Sequence, residues 1–209
     1  MLKNEEVLHA AASIFSVPDK AQWKTTTSRW FKLNLLQSFC MHDKMSWIEL
    51  GAAQGHSTVL LSKIAKSVFS IDVIQENVDA INQLQLQNVK SSNIDLYSRE
   101  FAALMSNSEY DAAIIDAVHD YDSVRCDIRN CLNAGVRVFV FDDYGAFPEV
   151  KKAVDEFTSK ASEQGCLLST TYIGLPPGTS FPNTMFKTLA DWEGMIVRID
   201  SNVFLEGEG

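Results

Sequence analysis

The stretch Trp47-Ile-Glu-Leu-Gly-Ala-Ala-Gln-Gly-His-Ser-Thr58 decides how this chain folds. An apolar run carrying Glu49 ends in Gly51, Gly55 follows, and an amphipathic run covers 57–64. The pattern reads as a buried strand, a glycine-bounded turn and a helix opening straight out of the turn. Such a turn lets a ligand lie against bare backbone and meet the unpaired N–H groups of the first helical turn. A nucleotide-like ligand fits that description. A pyrophosphate dinucleotide would want the glycine spacing G-x-G-x-x-G and basic help nearby. Ala53 stands at the middle glycine position, and no Lys or Arg lies between Trp47 and Ser62. Glu49 at the strand end would repel phosphates and welcome an ammonium or a sulfonium. S-adenosylmethionine carries both, with a carboxylate that a helix N-terminus can hold. A plain strand–helix turn of any α/β protein would share the same glycines.

Outward from this turn, apolar strands alternate with helical patterns, which argues for βαβ units and a parallel sheet. Strands are expected at 46–50, 67–72, 94–98, 111–117, 137–142, 167–173 and 195–199. Helices are expected at 57–66, 75–87, 101–106, 121–132 and 148–164, with two more before the first strand at 4–15 and 28–40. The sequence suits one domain: a helical segment 1–44, a core 45–200 and a tail 201–209. The stretch 174–183 holds three prolines and two glycines, which forbid regular structure. It reads either as a lid or binding loop or as a plain surface connection.

Composition narrows the partners. The 209 residues are 46% apolar and 22% charged, enough for a substantial core. The formal net charge of −9 disfavours a nucleic acid partner. Lys20, Lys24, Arg29 and Lys32 read as a solvated helix face. No apolar run reaches the length of a membrane span, and the N-terminus lacks an apolar signal segment. Cys40, Cys126, Cys131 and Cys166 are scattered, which fits free thiols in a cytoplasmic, reducing setting. His9 and His42 stand in no constellation, and His56 would face solvent or a ligand's rim.

Ligands of open parallel sheets bind beyond the carboxyl ends of the strands, and acids recur there. Asp72 ends the second strand, Asp116 the fourth, and Asp142-Asp143 the fifth. Asp72 can accept both hydroxyls of a ribose, or cap the helix that follows. If strands four and five are neighbours, their ends lie about 5 Å apart. Asp116, Asp142 and Asp143 would then repel one another unless a cation neutralises them. All-oxygen ligands favour Mg²⁺, Ca²⁺ or Mn²⁺. Backbone hydrogen bonding and turn capping are the other account of these three. His119, three residues past Asp116, is placed as a general base or as a structural donor.

Taken together, these residues resemble the class I S-adenosylmethionine-dependent methyltransferases, above all the metal-dependent small-molecule O-methyltransferases that include macrolide-sugar enzymes. Glu49-Leu-Gly51-x-x-x-Gly55-x-Ser57-Thr58 is similar to their first motif, and Ile71-Asp72 to their second-strand acid. Ile115-Asp116-Ala-Val-His119-Asp-Tyr121 is similar to an Ile-Asp-Gly-x-His-x-Tyr signature. Phe141-Asp142-Asp143-Tyr144, with Phe147-Pro-x-Val150-Lys151-x-Ala-Val154, is similar to their fifth-strand motif and helix. The likeness spans roughly 47–157. It departs at Ala117, where the signature has Gly, and at Tyr97-Ser-Arg-Glu100, where a small-polar motif is blurred and adenine recognition is left unassigned.

The resemblance implies a Rossmann-like three-layer sandwich whose seven-stranded, mostly parallel sheet has its last strand antiparallel beside the fifth. It implies S-adenosyl-L-methionine contacts at Glu49, Gly51, Ala53, Gly55, Ser57, Thr58, Asp72, Val73 and Asp116. It further implies Mg²⁺ or another divalent cation on Asp116, Asp142 and Asp143, and proton transfer by His119 or Asp116. The partner would be a small hydroxylated molecule, with no nucleic acid and no membrane; a homo-oligomer is left open. Trp23, Trp30 and Phe31 are candidates for a substrate wall or a dimer contact. A metal-independent methyltransferase, a non-catalytic scaffold of the same fold and an NAD-dependent oxidoreductase are the competing readings.

Overall fold

The computed structural model describes residues 27–39, 44–180 and 188–205. The helix expected at 4–15, together with His9, Trp23, Cys40 and His42, lies outside the described residues. In chain order the elements are α1 (Arg29–Phe39), β1 (Ser46–Leu50), α2 (His56–Ile64), β2 (Ser67–Asp72), α3 (Gln75–Gln83), β3 (Val89–Asn93), α4 (Arg99–Ser106), β4 (Ala112–Ile115), α5 (Tyr121–Asn133), β5 (Val138–Phe141), α6 (Pro148–Glu163), β6 (Leu167–Ile173) and β7 (Gly194–Ile199). Local chemistry sets several helix starts. Ser98 accepts from the Phe101 amide and Asp120 from the Ser123 amide, while Pro148 opens α6.

The strands form one seven-stranded sheet in the order β3-β2-β1-β4-β5-β7-β6. The first five pair in parallel, and β7 runs antiparallel to both β5 and β6. This is the Rossmann-like sandwich, with the last strand inserted beside the fifth. α1 and α2 cover one face through Phe31, Leu35, Leu36, Phe39, Leu61 and Ile64. α4, α5 and α6 cover the other through Phe101, Ile128 and Phe157. Burial on both faces explains why β4 and β5 read as unbroken apolar runs rather than alternating ones.

Three boundaries correct the sequence reading. The third strand is Val89–Asn93, not 94–98. It is an edge strand, paired only with β2, so its polar Lys-Ser-Ser-Asn can face water. The apolar Ile94 and Leu96 that suggested a strand instead belong to the loop after it and are buried in the core. The helix expected to run to 87 stops at Gln83, and Gln85 then takes a left-handed backbone. The fourth strand is shorter than 111–117, which leaves Asp116 in the loop just past its end.

Candidate cofactor and acceptor site

Sheet register lines up the functional residues. Leu50 pairs with Ile71 and with Ile115, and Ile115 pairs with Phe141. The next residues along these four strands are Gly51, Asp72, Asp116 and Asp142. They therefore share one rim, at the point where strand order reverses between β1 and β4.

At the β1 side lies a cavity of about 550 Å³. Its wall includes Gly51, Ala53, Asp72, Val73, Asn77 and Asp116, and continues to Asp95, Leu96, Tyr97 and Val118. The first turn is built to be tight. Gly51 has φ +86°, and a Cβ there would stand 2.1 Å from the carbonyl oxygen of Asp116. Glycine is thus demanded by the neighbouring strand end as much as by a ligand. Gly55 has φ +82°, and a Cβ there would press on Ile81 of α3 at 2.8 Å. Asp72 ties the floor together: Oδ2 accepts from the Ala53 amide and Oδ1 from the Ile74 amide, each at 2.8 Å. Each oxygen thus accepts one amide and keeps further accepting capacity, and Asp72 is part of the cavity wall.

Two of the residues expected to contact the cofactor are buried behind the turn. Glu49 is fully buried, and its Oε2 accepts from Thr58 Oγ1 and Ser70 Oγ, both at 2.6 Å. Burial raises the Glu49 carboxyl to about 7, against the lowering effect of those two hydroxyls. Glu49 and the buried Thr58 fasten α2 to β1 and β2; neither is part of the cavity wall. Ser57, half-buried in the first turn of α2, is not part of that wall either.

At the β4–β5 side the acids converge with an imidazole. Asp116, His119 and Asp143 each offer a ligand atom, all within 4.8 Å of one another. His119 Nε2 is 3.0 Å from Asp143 Oδ2 and 3.7 Å from Asp116 Oδ1. Nε2 and Asp143 Oδ2 are both buried and meet at ion-pair distance without the angles of a well-directed hydrogen bond. Asp143 has a left-handed backbone, φ +58°, an uncommon conformation for a residue with a side chain. The His119 ring stacks on Phe147, centroids 4.2 Å apart. Burial opposes charge on His119, but the two carboxylates outweigh it and lift the imidazole to about 9. Burial likewise raises Asp116 to about 6, with Asp143 adding to the rise and His119 opposing it.

Asp142 is held by two further hydrogen bonds. Its Oδ2 accepts from Thr27 Oγ1 at 2.9 Å and its Oδ1 from the Asp143 amide at 2.8 Å. Burial and the neighbouring acids raise its pKa. His119 gathers with Asp116 and Asp143, while Asp142 lies in the field of the same two acids.

Two residues of this rim were missed from sequence. Glu193, just before β7, is fully buried and accepts from the Ser28 amide at 2.6 Å, from the Ser28 hydroxyl and from the Leu175 amide at 2.8 Å. Burial lifts it to about 7. Lys32, expected on a solvated face, is only 7% exposed; it lies in the field of Asp142, Glu193 and Asp116. The proline-rich segment begins against the same helix, with the Gly174 amide donating to Asn34 at 2.9 Å. Residues 181–187 of that loop lie outside the described residues.

No family model matches the chain, and no curated protein sequence matches it. Solved structures do. A Streptococcus mutans protein assigned as a methyltransferase, crystallised with SAH, superposes with TM-score 0.56 at 16% identity, covering 81% of this chain and 98% of that one. A Klebsiella pneumoniae protein assigned as an O-methyltransferase gives 0.57 at 15%, covering 94% and 89%. The N-methyltransferase NodS of Bradyrhizobium japonicum gives 0.54 at 15%, covering 82% and 94%. The chain therefore has the Rossmann-like fold found in these methyltransferases.

Proposed function

We propose that the chain is an S-adenosylmethionine-dependent methyltransferase acting on a hydroxyl oxygen of a small molecule, with a divalent cation at the acceptor. The observation that carries this reading is the continuous rim from the Gly51–Gly55 turn through Asp72 to Asp116 and His119. The turn amides meet the methionine end, and Asp72 accepts the ribose hydroxyls with its remaining lone pairs. Val73, Ile74, Leu96 and Val118 bracket the adenine, with Asp95 beside it. Asp116 belongs to both halves, which sets the sulfonium methyl next to the acceptor.

The transfer moves a methyl from sulfur to oxygen. Sulfur keeps the C–S electron pair, the hydroxyl proton passes to His119 or Asp116, and S-adenosylhomocysteine remains. Alignment at about 3–3.5 Å supplies much of the rate. The buried His119 Nε2 and Asp143 Oδ2, in contact with each other, would with Asp116 fit a divalent cation. Such a cation would lower the pKa of a bound acceptor hydroxyl. The same Nε2 cannot hold a cation and take the acceptor's proton together. The 3.0 Å contact with Asp143 favours a second reading, in which an oriented His119 is the base without metal. Activity with and without EDTA separates the two: loss and recovery with Mg²⁺ supports the cation, and full activity in EDTA supports His119 as base. The small-molecule acceptor, the absence of a nucleic acid partner and any self-association belong to the same proposal. Among the described residues no helix is long and apolar enough to cross a membrane.

A further inference from the structure

We propose that Thr27 is a positioning residue of the acceptor side: through Asp142 it sets the backbone of Asp143, and with it the carboxylate that meets His119. This rests on reading the β4–β5 rim as the acceptor site, and it holds whether His119 serves there as a cation ligand or as the base.

The two residues before α1 do different jobs. Ser28 caps the helix, its hydroxyl accepting from the Phe31 amide at 3.1 Å, and its own amide donates to Glu193 at 2.6 Å. Glu193 also accepts from the Leu175 amide, and Phe31, Leu35, Leu36 and Phe39 bury the apolar face of α1. The helix is therefore anchored without Thr27. Thr27, only 3% exposed, instead donates its hydroxyl to Asp142 Oδ2 at 2.9 Å, 115 positions away in the chain.

Asp142 passes that contact on. Its other oxygen, Oδ1, accepts from the Asp143 amide at 2.8 Å. Asp143 needs such support, because φ +58° is a left-handed backbone that a residue with a side chain seldom adopts. Beyond Asp143 the chain is already clamped. The Asp143 carbonyl accepts from the Ala146 and Phe147 amides at 3.0 and 3.1 Å, and the Gly145 carbonyl from the Ala190 amide at 2.9 Å. A Cβ on Gly145 would stand 2.2 Å from the Asp191 carbonyl oxygen. The peptide before Asp143 depends on Asp142, whose carboxylate sits in a broad torsional well and turns unless a donor stops it. Thr27 is that donor. The outcome is Asp143 Oδ2 at 3.0 Å from His119 Nε2, with the imidazole backed by the Phe147 ring at 4.2 Å.

The test compares Thr27→Val, which keeps the side chain's shape without its hydroxyl, with Thr27→Ser, Asp142→Ala and the Thr27→Val/Asp142→Ala pair. The main readout is the His119 ring cross-peak in carbon–proton correlation spectra at one fixed pH, without metal or cofactor, assigned by its loss in His119→Gln. The cross-peak should move in Thr27→Val and return to the wild-type position in Thr27→Ser. It should move in Asp142→Ala with no further change in the pair, because Thr27 acts only through Asp142. Calorimetric Mn²⁺ affinity should weaken by roughly three- to tenfold in Thr27→Val, the worth of one hydrogen bond, and recover in Thr27→Ser. An unmoved cross-peak in Thr27→Val would overturn the proposal, as would a displacement that Thr27→Ser does not reverse or that adds to the one in Asp142→Ala. Unchanged Mn²⁺ affinity in Thr27→Val, where the wild type binds the ion, would overturn it too. Circular dichroism checks that each variant is folded; if Thr27→Val is not, Thr27→Ala replaces it. A wild type that takes up no Mn²⁺ removes the cation reading, and one that takes up no S-adenosylhomocysteine removes the methyltransferase reading; in either case the cross-peak still decides.

Discussion

At the scale of single residues, the account turns on a few atoms with few alternatives. Asp72 holds two amides and faces the cavity. Asp72→Ala should weaken S-adenosylhomocysteine by roughly 1.5–3 kcal/mol, the worth of hydrogen bonds to a charged group; unchanged affinity would reduce Asp72 to a loop tether. Gly51→Val should abolish binding by forcing the turn away from the Asp116 carbonyl, not by filling ligand space. His119 predicts a pH dependence. Its proton is held up to about 9 and must leave before Nε2 can bind a metal. Mn²⁺ affinity should therefore climb by up to about tenfold per pH unit below that point and flatten above it. A flat profile between pH 6 and 9 would remove His119 from the ligand set. Asp127 in α5 offers a check unrelated to the site. It is fully buried with neither oxygen hydrogen-bonded, and burial, then Asp120, raises it to about 8. The folded chain prefers its acid form, so its stability is full below the ordinary value of 3.8 and is lost as pH rises toward 8. Asp127→Asn should raise Tm at pH 8 and leave it unchanged near pH 4.

At the scale of elements, α1 decides the shape of the acceptor side. Glu193 collects three donors from Ser28 and Leu175. Glu193→Ala leaves those groups unpaired and should cost on the order of 2–4 kcal/mol in urea unfolding. Amide exchange in α1 should quicken at the same time, and unaltered exchange there would show that the helix is held by its apolar face alone. What was legible at this scale follows from local pattern. β1, β2 and β6 were read to the residue because runs rich in apolar or β-branched residues stopped at Gly51, Asp72 and Gly174. β3 was not, because an edge strand needs no apolar pattern while the buried loop after it does. The partners of Lys32 and Glu193 were illegible for a different reason. Their role exists only once β7 is inserted beside β5 and α1 is laid across both, and no local signal encodes that meeting.

At the scale of the whole molecule, the proposal of a small hydroxylated acceptor rather than a polyanion rests on the acids of the rim and the net charge of −9. The parallel sheet and the site rim were readable because alternating elements and strand-end residues follow from the fold's geometry. The approach of His119 to Asp143 was not, since it depends on which side chains share space after folding. The central claim is that the rim from Gly51 to Asp116 holds S-adenosylmethionine. Calorimetric titration of the purified chain with S-adenosylhomocysteine and, separately, with NAD⁺ tests it most directly. The account predicts one saturable site for S-adenosylhomocysteine, lost in Gly51→Val, and no heat with NAD⁺; heat with NAD⁺ and none with S-adenosylhomocysteine would contradict it.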